Sequence, residues 1–111
     1  LLSLTLNRIL VTGGNGYIGK NLINFLREKN LEIYSPIRNQ KLADENNNFI
    51  YLDINSSTNW RDLLEKNDVV VHILGASHIS KNKKSNENHF KEVNVNLTRN
   101  LCEQAAECNV K

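Results

Sequence analysis

The apolar run Arg8-Ile9-Leu10-Val11-Thr12 ends directly in Gly13-Gly14-Asn15-Gly16-Tyr17-Ile18-Gly19, and from Tyr17 onward the apolar residues take up a helical period. No other feature restricts the fold as much. A short continuous apolar run suits a strand buried on both faces in a parallel sheet. Ile18, Leu22, Phe25 and Leu26 then fall at i, i+4, i+7 and i+8, which predicts the buried face of an amphipathic helix reaching about Lys29. In such a strand, turn and helix, Gly13 permits a tight exit from the strand and Gly16 leaves no side chain between the backbone and a bound pyrophosphate. Gly19 lets the helix pack against the sheet. The helix N-terminus adds unpaired N–H groups and roughly +0.5 of an elementary charge, both favourable to a phosphate. Residues 12–19 therefore read as a dinucleotide-binding turn rather than a purely structural one.

Beyond the turn, Asn30 can stop the first helix, and residues 31–37 predict a second strand. A polar loop rich in turn-forming Asn and Asp follows over residues 38–48, then a third strand over 49–52 closed by Asp53. Residues 55–59 offer several N-cap oxygens to a short helix carrying Trp60, Leu63 and Leu64. Residues 69–74 are the most strand-like run. A polar stretch, 77–88, separates them from a last helix, about 90–108, whose apolar face uses Val93, Leu97, Leu101 and Ala105. Strands alternating with helices imply parallel strands with right-handed crossovers. The expected fold is α/β, a doubly wound parallel sheet of the Rossmann type, incomplete, with about four strands and three helices.

At 111 residues the chain is one domain at most. Its 14 basic and 12 acidic side chains leave a net charge of +2, scattered except for Lys81, Lys83 and Lys84, so nothing calls for a nucleic-acid partner. Cys102 and Cys108 lie about 240° apart around one predicted helix, too far round for a shared metal or disulfide. Both read as reduced packing residues, and no metal site is expected. Residues 1–6 carry neither a basic leader nor a long apolar stretch, so the expected location is the cytoplasm, with no membrane span. The sequence contains no Met, and the natural start is expected upstream.

The segment Thr12-Gly13-Gly14-Asn15-Gly16-Tyr17-Ile18-Gly19 resembles the TGGxGxxG signature of the extended short-chain dehydrogenase/reductases, the NAD(P)-dependent epimerase/dehydratase family. Three further segments match in order. Asp53-Ile54 looks like the family's adenine-contacting Asp, and His72-Ile73-Leu74-Gly75-Ala76 resembles its HLAA segment beside the cofactor. Asn94-Val95-Asn96-Leu97-Thr98 resembles its NVxGT helix start. Gly75 stands where the family prefers Ala, and Leu97 where it prefers Gly. The resemblance covers nearly the whole chain. It implies cofactor contacts from Gly13, Gly14, Asn15, Gly16, Tyr17 and Ile18 on the turn, from Asp53 and Ile54 after the third strand, and from Leu74, Gly75, Ala76 and Asn94.

An acidic residue about 20 positions past the glycines often holds the ribose 2′-hydroxyl of NAD. Here the second strand ends Ser35-Pro36-Ile37-Arg38, and Asp44 and Glu45 lie too far along the loop. Arg38 suits a 2′-phosphate instead, so the cofactor is expected to be NADP or NAD, with NADP favoured. Asp53 reads either as an acceptor for the adenine amino group or as an Asx turn closing the strand. Asn94 reads either as a cofactor contact or as a polar residue on an exposed helix face. His72, inside an apolar strand, reads as a buried imidazole with its hydrogen bonds met rather than as a ligand or base. In the family fold, the basic loop flanked by His78 and His89 lies over the substrate pocket. Lys81 to Lys84 reads as a solvated run in a place compatible with anionic sugar nucleotides.

Family members carry out hydride chemistry with a Tyr and a Lys four residues later on one helix, the Lys lowering the Tyr pKa. Four residues beyond Tyr17, Tyr34 and Tyr51 stand Asn21, Arg38 and Asn55, so no catalytic residue is assigned. The fifth strand and the catalytic helix are expected beyond Lys111. By resemblance, residues 1–111 are the N-terminal NAD(P)-binding part of a sugar-nucleotide epimerase, dehydratase or 4-keto reductase serving bacterial surface-polysaccharide synthesis, inactive alone. The full-length enzyme would take a nucleotide-sugar substrate. Its oligomeric state is left open, because family dimers usually pack through the catalytic helix. A non-catalytic NAD(P) sensor and an inactive truncated gene product are the alternatives.

Overall fold

The computed structural model describes residues 7–75 and 83–111. Strands β1 (Arg8–Thr12), β2 (Glu32–Ile37), β3 (Phe49–Tyr51) and β4 (Val69–His72) form one parallel sheet in the order β3-β2-β1-β4. Because successive side chains point to opposite faces, each strand supplies two layers. Ile9, Val11, Ile33, Val69 and Val71 pack with Ile23 of α1 (Tyr17–Glu28) on one face. Leu10, Tyr34, Ile50 and Val70 pack on the other, against Trp60, Leu63 and Leu64 of the α2 region (Arg61–Glu65) and against Leu97 and Leu101. Helices thus cover both faces, as the doubly wound class requires. Among the described residues, no helix is long and apolar enough to cross a membrane.

The last helix is longer than its sequence pattern predicts. It begins with α3 (Lys83–Phe90), continues as a π-helical stretch (Lys91–Leu97) and ends in α4 (Thr98–Glu107), with helical dihedrals at Phe90, Leu97 and Thr98. Residues 83–89 contain no apolar side chain, so no apolar period announces the helix before Phe90. Val93, Leu97 and Leu101 are buried as expected, but Cys102 is exposed and only Cys108 packs on the core.

The buried face of α1 is also rotated from the expected one. Gly19 and Ile23 are buried and Leu22 and Leu26 half-buried, whereas Ile18 and Phe25 remain 66% and 55% exposed. At about 100° per residue this is roughly a quarter turn. Its cause is at the helix start, where a Cβ on Gly19 would stand 2.1 Å from the Gly13 carbonyl oxygen. That backbone contact turns the Gly19 and Ile23 side toward the sheet.

Asparagine supplies several of the stops. Asn30, Asn48 and Asn109 have φ of 60°, 60° and 56°, the left-handed region in which Asn is the best tolerated residue after Gly. Asn30 N–H donates to Arg27 O and Leu31 N–H to Leu26 O, the paired bonds of a Schellman cap. Asn109 and Val110 repeat the pattern onto Ala106 and Ala105. The start of α2 departs from a simple cap: Asn59 Oδ1 accepts from Arg61 N–H at 3.1 Å, while the Trp60 N–H is met at 2.7 Å by Oε1 of Gln104. Gln104 is buried, and its Nε2 donates to Thr58 O and Asn100 Oδ1. At the far end of the sheet Asp68 accepts from Asn7 N–H, Arg8 N–H and the Arg8 guanidinium. Val70 N–H donates to Lys111 O and Lys111 N–H to Asp68 O, the bond pattern of a parallel pair between Val69 and Lys111.

These contacts give two expectations. In urea denaturation, Leu97→Ala should lose about 2–5 kcal/mol, whereas Phe25→Ala should stay within about 1 kcal/mol; the reverse order would restore the unrotated α1 face. The backbone and side-chain hydrogen bonds from Arg8 hold the Asp68 carboxyl below its ordinary value near 3.8. Its stabilisation is therefore present above that value and lost as pH falls through the lowered one. Asp68→Asn should flatten the acid limb of stability against pH, measured by thermal melts.

Candidate functional site

In an open parallel sheet, ligands bind beyond the carboxyl ends of the strands where the strand order reverses. In this sheet that point lies between β1 and β4, and both strands run into the turn region. β1 leaves in the glycine turn, with Gly13 at φ +75°, a conformation that only glycine adopts freely. The close passage of Gly13 beneath Leu74 adds a second restriction, since a Cβ there would meet Leu74 N at 2.9 Å. The glycines then divide the labour differently from the expectation that Gly19 lets the helix pack against the sheet. Gly19 seats on the turn's own backbone, and Gly14 is the residue fitted against Ser35 and Ile23. Gly16 meets nothing closer than Gly13 O at 3.4 Å. Its missing side chain leaves open space in front of the α1 N-terminus. Gly16 caps α1 without a side-chain bond, the first intrahelical bond is Lys20 N–H to Gly16 O, and the first turn carries no acidic residue. The positive end of the helix therefore faces that space uncompensated.

Two cavities flank the turn and share Gly13, Asn15 and Leu74. One, about 230 Å³, is walled by Pro36, Ile37, Arg38, Asn39 and Ile54. The other, about 400 Å³, is walled by Gly16, Tyr17, Ile18, Gly19, Ile73 and Gly75. The first opens because β2 parts from β1 beyond the Leu10 and Tyr34 pair. Pro36 sits past that point, where the N–H it lacks is not needed for the ladder to β1. Ser35 Oγ bridges the gap to Val11 O at 2.8 Å. No carboxylate is among the described residues lining either cavity.

Thr12 holds the β4 side in place. β4 stops at His72, short of the predicted 74: the Ile73 N–H is shared between Thr12 O at 3.3 Å and Thr12 Oγ1 at 3.0 Å, and the Leu74 N–H turns to Thr12 Oγ1 at 3.2 Å. The same oxygen lies 2.6 Å from His72 Nδ1, and His72 Nε2 lies 2.9 Å from Thr98 Oγ1. Burial lowers the His72 pKa from its ordinary 6.5. His72 is thus half-buried with both ring nitrogens engaged, as its place in the sequence suggested. The π-helical stretch is tied down by Glu92, whose Oε2 accepts from Ser56 N–H at 2.8 Å. The hydrogen bonds from Ser56 hold that carboxyl below its ordinary value.

Of the residues singled out in the sequence, Gly13, Asn15, Gly16, Tyr17, Ile18, Arg38, Ile54, Leu74 and Gly75 line the two cavities. Gly14 supports the turn from within. Asp53 is exposed beside Ile54, and its carbonyl accepts from Thr58 Oγ1, while the Asx turn there belongs to Asn55, which accepts from Ser57 N–H. Asn94 is exposed on the π-helical stretch, its Oδ1 3.2 Å from where a Cβ on Gly75 would stand. A glycine at 75 therefore leaves that amide room. Ala76, His78 and Lys81 lie outside the described residues. Thr12, Ser35 and Thr98 support the cleft without having been singled out for it, although Thr12 opens one of the recognised motifs and Thr98 closes another. Among the described residues, no group of three His, Cys, Asp or Glu could hold a metal ion.

Residues 9–111 match the NAD-dependent epimerase/dehydratase family. The UDP-glucose 4-epimerase of Vibrio cholerae is 35% identical over 105 residues, which cover 93% of this chain and 32% of that protein. The GDP-6-deoxy-D-talose 4-dehydrogenase of Aggregatibacter actinomycetemcomitans is 33% identical over 106 residues, again 93% of this chain and 32% of the relative. Among solved structures, MoeE5 in complex with UDP-glucuronic acid and NAD has a TM-score of 0.77 and 25% identity, over 95% of this chain and 34% of that one. The chain spans about a third of the length of these proteins. With the family match running from β1 through the glycine turn, the cleft and the last helix, the chain belongs to the NAD-dependent epimerase/dehydratase family.

Proposed function

We propose that residues 1–111 are the NAD(P)-binding portion of a sugar-nucleotide enzyme of this family, with the pyrophosphate on the glycine turn. The observation that carries this is the open space at Gly16 in front of an uncapped helix N-terminus, set between two cavities of a size suited to the two ends of a dinucleotide. Adenosine occupies the cavity between Arg38 and Ile54, and the nicotinamide half lies along Tyr17, Ile18 and Gly75. Arg38 at the ribose end, with no carboxylate among the described lining residues, supports a 2′-phosphate and hence NADP. The solved relative MoeE5 was in complex with NAD.

Both relatives named above act at C4 of a nucleotide-linked hexose, by their names, which supports C4 oxidation and reduction of a nucleotide sugar as the activity of the whole enzyme. Supply of such sugars for surface polysaccharide in the cytoplasm is the setting proposed for it. The 111 residues contain no Tyr-x-x-x-Lys, so their contribution is cofactor binding without turnover.

Gly16→Ala tests the pyrophosphate site. Gly16 has φ −82° and ψ 176°, where Ala is unstrained, so the variant should be as stable as wild type or more stable by about 0.4–1 kcal/mol. NAD(P) affinity by calorimetry should nevertheless fall by more than about tenfold. Unchanged affinity would remove the pyrophosphate from the turn. Arg38→Ala should weaken NADP by about tenfold and leave NAD within about twofold; equal loss for both would end the 2′-phosphate role.

A further inference from the structure

Thr12, His72 and Thr98 each belong to a recognised motif, yet none lines the cleft. Together they form a continuous chain of hydrogen bonds from the glycine turn to the last helix, and the donors and acceptors along it favour one arrangement of protons. Thr12 Oγ1 accepts from the Leu74 N–H and shares the Ile73 N–H with the Thr12 carbonyl, 3.3 Å away. With those two donors on one side, its own proton is directed at His72 Nδ1, 2.6 Å away. Nδ1 is thereby an acceptor, so the neutral ring carries its proton on Nε2 and donates it to Thr98 Oγ1 at 2.9 Å. The Thr98 hydroxyl is left to donate to Val93 O, 3.5 Å away and five residues back. A five-residue span is the π-helical spacing, and the π-helical stretch Lys91–Leu97 is the segment it closes. That stretch carries Asn94 against Gly75 at the rim of the larger cavity.

We propose that His72 is a positioning residue whose neutral, Nε2-protonated ring couples the glycine turn to the π-helical stretch and so sets Asn94 at the cofactor cleft. An imidazolium would turn Nδ1–H toward a Thr12 oxygen that already accepts two hydrogen bonds, and the chain would break at that joint. Burial, which lowers the His72 pKa, keeps the ring neutral near pH 7. Around the ring, β1 presents Thr12 and α4 presents Thr98, and the titratable groups lining the adjoining cavity of about 300 Å³ are Cys102 and Lys111. The role in cofactor binding rests on the function proposed above, whereas the proton arrangement does not.

The test uses the 111-residue chain in two parts. In the first, without cofactor, nitrogen-15 spectra of the His72 ring should show the Nε2–H tautomer at about pH 8. On titration to about pH 5 the amides of Leu74 and of residues 93–97 should shift with the midpoint of the ring. The opposite tautomer, or amides over 93–97 that ignore the ring, would overturn the coupling. In the second part NAD affinity is measured at both pH values. It should fall by about tenfold on protonation of His72 in the wild type and in Thr98→Ser, which keeps the hydroxyl. In Thr98→Val it should be weak at both pH values, with the pH dependence lost. Wild-type NAD binding independent of pH would overturn the positioning role alone, and absence of NAD binding by wild type at any pH would overturn the proposed function while leaving the spectroscopic result to stand or fall separately.

Discussion

The carbonyl of Gly13 lies so close to Gly19 that a Cβ at position 19 would stand 2.1 Å from it, and most of the site follows from this contact of backbone on backbone. It fixes where α1 starts relative to the end of β1. It also fixes the rotation of α1, which sends Ile23 into the sheet layer and leaves Tyr17 and Ile18 exposed along the larger cavity. The first N–H groups of the helix then face the one glycine, Gly16, that has space in front of it. The proposed phosphate site thus rests on packing geometry that a single methyl group would prevent.

The sheet places the second wall of the cleft. β4 lies beside β1, and the Thr12 hydroxyl ends β4 by taking the Leu74 N–H and sharing the Ile73 N–H with the last ladder bond, to Thr12 O. Leu74 and Gly75 are thereby brought over the turn. On the other flank β2 parts from β1 after Tyr34, and Ser35 and Pro36 tolerate that parting, one by a side-chain bond to Val11 O and the other by lacking the N–H concerned. The apolar layers hold the sheet to its helices, while a few polar ties set the relative positions of the loops. Gln104 anchors residues 58–60, and Glu92 anchors Ser56.

The sequence made the sheet legible because its strands are short apolar runs punctuated by Gly, Asn and Asp, and because a glycine turn between a strand and a helix has few other uses. Nine of the cavity-lining residues could be named from the turn, the end of the second strand and the motifs that follow. The rest depended on contacts that periodicity does not encode. The face of α1 is set by the close approach of Gly19 to the Gly13 backbone rather than by where its largest apolar residues fall, so Ile18 and Phe25 were misplaced. The helix over residues 83–89 has no apolar stripe because it is polar throughout. Gln104 did leave a signal: it lies seven residues after Leu97, on the same buried face, where a polar side chain implies partners.

The central claim is that the dinucleotide lies across the glycine turn between β1 and β4. Amide chemical-shift mapping during an NAD(P) titration tests it most directly. Perturbations concentrated at residues 13–19, Arg38, Ile54, Leu74 and Gly75 are the expected result. Perturbations confined to the opposite end of the sheet, around Asn67, Asp68 and Lys111, or none at the glycine turn, would contradict it.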